Sequence, residues 1–120
     1  MRTEDLLNIR PVITNARIME NMSSDERFQN TTIRPIIKLQ NDLLIEVFKN
    51  YVSKHKNIFY DLSLSKKLEY IENAVQKDMK FRNSVKGMVI GQFTIEEYAI
   101  YIQTHHEHCK RAIHKQYTSI

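Results

Sequence analysis

Five residues near the C-terminus carry side chains that bind metals: His105, His106, His108, Cys109 and His114. Imidazole nitrogen and thiolate sulfur are good ligands for zinc, copper or iron, and an i, i+4 spacing lets two helical side chains share one ion. His105 and Cys109 have that spacing. The cluster does not close on itself. On a helix, His106 and Cys109 share an apolar stripe with Ile95, Ala99, Ile102, Ile113 and Tyr117, while His105 and His108 fall to one side and His114 to the other. A complete site needs ligands from elsewhere, with Asp78, Glu96 and His55 as candidates. The plainer expectation is a core His with one hydrogen bond and a buried structural Cys. A transition-metal site, for zinc or a similar ion, on His105, His106 and Cys109 is therefore the alternative reading.

Three other features could carry chemistry. Gln40 lies on an apolar helix face among Ile36, Ile37, Leu43 and Leu44. Left unpaired, its amide costs about 1–3 kcal/mol, so it either bonds a backbone carbonyl at a bend near Pro35 or offers a polar handle in a pocket. Gly87 and Gly91, four apart, read as a tight packing point and a helix stop. The link Gly91-Gln92-Phe93-Thr94 has the length of a helix-turn-helix connection, but Glu96 and Glu97 would meet DNA phosphates with like charge. No GxGxxG, GxxxxGK[ST], GxSxG, HExxH or CxxC motif occurs.

The elements that position these residues read as helices. From Ile33 to Val52, Ile33, Ile36, Ile37, Leu43, Leu44, Val47, Phe48 and Tyr51 form one broad face opposite Lys38, Asp42, Glu46 and Lys49. Thr32 is the expected N-cap, Pro35 sits in the first turn, and Asn57 takes a left-handed stop. This is the expected central helix. Before it come a short helix over Thr3–Ile9 that Pro11 ends, an arm from Val12 to Met22 with a possible strand at Val12–Thr14, and a capping box, Ser23 with Glu26. After it, Ile58-Phe59-Tyr60 is an apolar plug. Ser63 caps a helix buried along Leu64, Leu68, Ile71 and Val75, widened by Tyr70 and Ala74. A phase break at Asp78 separates this from a helix over Met79–Ile90 with Phe81, Val85, Met88 and Val89 inside. Thr94 and Glu97 form a second capping box, stapled by Phe93 and Tyr98, and the helix it opens at Ile95 runs nearly to the C-terminus.

Composition agrees. With 2 Gly, 2 Pro and 1 Cys in 120 residues, tight-turned sheets and internal disulfides are disfavoured, and a reducing compartment fits. The start MRTEDLLNIR lacks the apolar core of a secretory signal, and the longest apolar run, Tyr98–Ile102, is too short to span a membrane. The net charge of +4 does not cluster in the sequence. Lys66, Lys67, Lys77, Lys80, Lys86, Lys110, Arg111 and Lys115 alternate with Glu69, Glu72, Asp78, Glu96 and Glu97, as on solvated helix faces, so a nucleic-acid partner is not expected.

The stretch from Glu26 to Ile102, with RFQNTTIRPIIKLQNDLLIEVFKNY and QKDMKFRNSVKGMVIGQFTIEEY, resembles a group of small uncharacterised bacterial proteins, some labelled glyoxalase. The resemblance implies an all-helical protein and brings no functional residues with it. Glyoxalase-type metal enzymes set their ligands on the strands of βαβββ modules, so the label enters only the metal-dependent alternative.

The reading is an all-α helical bundle of four main helices plus a short N-terminal helix and an extended arm. It forms one domain over 1–120, with helix and arm in 1–22 and the bundle in 23–120. The expected function is a cytoplasmic, non-catalytic interaction or regulatory module without a cofactor. It forms a homodimer, because it carries more apolar surface than one small bundle hides.

Overall fold

The computed structural model describes residues 1–11, 23–104 and 106–118, with side chains for all of these except 24, 25, 104 and 106–109. Among the described residues the chain is all-α and contains no strand. The expected arm from Val12 to Met22, with its strand at Val12–Thr14, lies outside them. In order come α1 (Arg2–Ile9), α2 (Ser24–Phe28), a π-helical turn (Gln29–Ile33), α3 (Arg34–Leu39), α4 (Asn41–Lys54), a 3₁₀ turn (Ile58–Asp61), α5 (Leu64–Gln76), α6 (Met79–Ile90), α7 (Ile95–Thr104) and α8 (His106–Thr118).

The single central helix expected over Ile33–Val52 differs in two ways. Its N-terminal part does not begin at a Thr32 cap. Helical backbone runs from α2 through the π turn into α3, and Thr32 is buried within that turn. The wider turn lies just before Pro35, which has no N–H to donate and whose ring would crowd a regular turn. At Gln40 the backbone leaves the helical region, with φ −89° and ψ 3°, and α3 breaks from α4. The Gln40 side chain fixes that break to a neighbour, its Nε2 donating to the Met88 carbonyl of α6 at 3.2 Å. The structural role expected for this amide is the one observed, with the bend at Gln40 itself.

The core is built round Phe48. Its ring meets Phe59 at 5.2 Å, Tyr117 at 5.1 Å and Phe81 at 6.0 Å between centroids, joining α4 to the 3₁₀ turn, α8 and α6. Leu44 and Val52 are buried beside it, one turn to either side. The centre is shared with α8, which packs on α3, the π turn, α5 and α6 and buries Ala112, Ile113 and Tyr117. The Tyr117 hydroxyl donates to the Leu44 carbonyl at 2.8 Å, and burial raises its pKa. Ile71 and Val75 of α5, and Phe81, Val85 and Val89 of α6, face inward as their periodicity requires.

Other expectations need correction. Leu43, Leu64 and Leu68 are exposed, because each face is narrower than its apolar stripe. In the plug, Ile58 and Tyr60 are exposed and Phe59 alone reaches the core. A Cβ at Gly87 would meet nothing within 4 Å, so Gly87 is no packing point, whereas Gly91 does end α6. α1 begins at Arg2, one residue before the expected Thr3, and buries no residue.

Candidate functional site

The metal-ligand candidates fall largely outside the described residues. His105 and the side chains of His106, His108 and Cys109 lie outside the described residues, while His114 is half-buried on α8. The partners they would need are engaged elsewhere or exposed. Asp78 caps α6 by accepting from the Phe81 N–H at 3.2 Å, His55 donates from Nδ1 to the Tyr51 carbonyl at 2.8 Å, and Glu96 is exposed. Among the described residues no group of three or more His, Cys, Asp or Glu could hold a metal ion.

The Thr94–Glu97 capping box forms in full. The Glu97 N–H donates to Thr94 Oγ1 at 3.2 Å, and the Thr94 N–H donates to Glu97 Oε1 at 2.8 Å. Glu97 does more than cap. Arg10 clasps it from 87 residues away, Nη1 on Oε2 at 2.6 Å and Nη2 on Oε1 at 2.5 Å, and also donates to the Gln92 carbonyl at 2.9 Å. The Thr32 hydroxyl donates to Oε2 at 3.1 Å. The pair is largely buried, Arg10 being 7% and Glu97 15% exposed. Burial pushes the Glu97 carboxyl up, but the donors from Arg10, Thr94 and Thr32 more than offset it, and its pKa lies below the ordinary glutamate value. Nothing local in the sequence marks Arg10 for this role.

This clasp sets the rotation of α7. Glu97 turns inward and Tyr101, four residues on, is buried, its ring 5.3 Å from buried Phe93 and Phe93 5.8 Å from Phe28. The opposite side of α7 therefore faces out. Ile95 is 77%, Tyr98 48% and Ile102 53% exposed, and Ala99 between them is exposed too. The stripe expected to enter the core through Ile95, Ala99 and Ile102 is real, but it lies on the surface. Further along the same stripe, Ile113 and Tyr117 are buried.

A second feature lies where α4 ends beside the α5–α6 junction. The Tyr51 hydroxyl donates to Asp78 Oδ2 at 2.9 Å. The α6 N–H of Phe81 and this hydroxyl together hold the Asp78 carboxyl below the usual aspartate value, while burial and Asp78 push Tyr51 up. His55 lies on the Tyr51 ring at 4.3 Å between centroids.

Comparison of the chain with protein-family models, curated proteins and solved structures finds no match. No described helix is long and apolar enough to cross a membrane.

Proposed function

We propose that this chain is a non-catalytic interaction module that works through the outer face of α7, and that its first partner is a second copy of itself. One observation carries the reading: Ile95, Tyr98, Ala99 and Ile102 follow i, i+3, i+4, i+7 spacing, and all four are exposed. Single exposed apolar residues are ordinary, whereas a stripe repeating at helical spacing is what a partner helix covers. Small Ala99 at its centre lets two helices approach closely. Among the described side chains, Glu96 is the only exposed charge on α7. In an antiparallel two-fold pairing about Ala99, the two Glu96 carboxylates fall at opposite ends and the apolar stripes meet.

Four side chains do not reach the roughly 800 Å² per partner of a standard interface. Leu7 and Ile9 of α1 are further exposed apolar residues of the chain. A lone cysteine, Cys109, suits work in the cytoplasm. Light scattering at micromolar concentration tests the reading and should give twice the 14.3 kDa chain mass. Ala99→Arg, on an exposed site, should return a monomer with unchanged helical circular dichroism. A monomer at every concentration, or a dimer that Ala99→Arg leaves intact, refutes it.

A further inference from the structure

Two arginines fasten α1 to the rest of the chain, and they do so unequally. Arg10, just past the helix, is largely buried beside Glu97 and donates to both carboxylate oxygens and to the Gln92 carbonyl. Arg2, at the other end, is exposed and reaches the Gly91 carbonyl through one hydrogen bond at 3.1 Å. Little holds the helix down between them. Thr3 and Leu6, three apart on one face, are half-buried, whereas Leu7 and Ile9 are exposed and no residue of α1 is buried. A helix of eight residues does not persist in water by itself, so α1 owes its order to the surface beneath it.

The two fastenings differ in what it takes to undo them. Releasing Arg10 would strand the buried Glu97 carboxylate without its cation, which is a costly step. Releasing Arg2 only returns an exposed guanidinium and one carbonyl to water. The backbone separates the two ends as well. Arg10 is extended, with φ −70° and ψ 132°, because the ring of Pro11 disfavours helical backbone in the residue before it. The helical path therefore stops at Ile9, short of the clasp.

We propose that α1 is a releasable strap: it lifts from the α6–α7 link as a unit, pivoting at Arg10, while the bundle and the clasp stay folded. In the docked position Arg2 closes the strap on Gly91, where α6 ends. In the lifted position the Gly91 carbonyl and the Thr3–Leu6 face are free, and Glu97 still sets the rotation of α7. Segments with few buried apolar contacts and exposed fastenings are the ones that open at least cost.

The test is amide hydrogen exchange of the full chain, followed residue by residue by NMR. The amides of Asp5–Ile9 should share one protection factor within about threefold, set about tenfold or more above unstructured chain and about a hundredfold or more below the core amides of α4 and α8. Arg2→Ala, at an exposed site, should lower the protection of α1 by about threefold or more and leave α4 and α8 unchanged. Unaltered circular dichroism confirms that the variant folds. Protection of α1 equal to that of α4 overturns the proposal, because the helix would then open only with the whole fold. So does the absence of protection, which means no docked position, or a steep rise in protection from Asp5 to Ile9, which means fraying from the chain end. Arg2→Ala that leaves α1 unchanged, or that loosens α4 as much as α1, overturns it too.

Discussion

Glu97 shows how much one carboxylate can hold when several donors converge on it. Arg10→Ala leaves it buried with only Thr94 and Thr32, and should cost about 2–3 kcal/mol in chemical denaturation. The pH dependence has a definite sign. The folded pKa lies below the ordinary glutamate value of 4.5, so the contribution is complete above that pH and is lost as pH falls through the folded value. Acid titration of the Arg10→Ala protein should accordingly show a shallower loss than the parent. Lys56 offers the opposite case. Its left-handed backbone is costly for a side chain and free for glycine, so Lys56→Gly should raise stability by about 0.5–1 kcal/mol, read as a higher denaturation midpoint. Asn57, also left-handed at φ 58°, was legible in the sequence because asparagine is a common helix stop, whereas nothing in a lysine announces that conformation.

The elements were legible wherever a local signal is sufficient. The Ser63, Asp78 and Thr94–Glu97 caps all form, and the phase break between α5 and α6 falls at Asp78 as periodicity requires. Which face of a helix turns inward is settled by partners far away in sequence, and there the pattern misleads. Leu43 and Leu44 are neighbours on one apolar face, yet Leu43 is 53% exposed and Leu44 1%. Leu44→Ala should therefore cost about 2–5 kcal/mol, while Leu43→Ala stays within about 0.5 kcal/mol, with urea midpoints separating the two. α7 shows the same limit more sharply. Its stripe is evident in the sequence, but only the clasp from Arg10 and the packing of Phe93 on Tyr101 decide that it points outward.

Across the whole molecule, the all-helical class follows from composition and periodicity, while the depression that Lys54 and Lys77 line appears only when α4 meets the α5–α6 junction. Lys54 and Lys77 stand 23 positions apart in the sequence, with acids between them, and their meeting is a property of the tertiary fold. The tyrosines give the fold an alkaline limit. Tyr51 and Tyr117 both have pKa values raised above 10.0, chiefly by burial, so the unfolded chain ionises first and stability falls as pH rises past 10.0. Thermal midpoints measured between pH 8 and 11 should fall through the upper half of that range, and Tyr117→Phe should flatten the decline.

The clasp between Arg10 and Glu97 closes a loop of 87 residues, and that separation has a kinetic meaning. A contact between positions so distant is entropically costly to form before the intervening helices have packed, so it belongs to the last stage of folding. Substitutions at such late contacts act on the unfolding limb. Arg10→Ala should speed unfolding in stopped-flow measurements and leave the folding rate nearly unchanged, whereas Leu44→Ala in the core should slow folding as well. The ion pair that fixes the outer face of α7 thus works as a latch on the native state, lengthening its lifetime without helping the chain to find it.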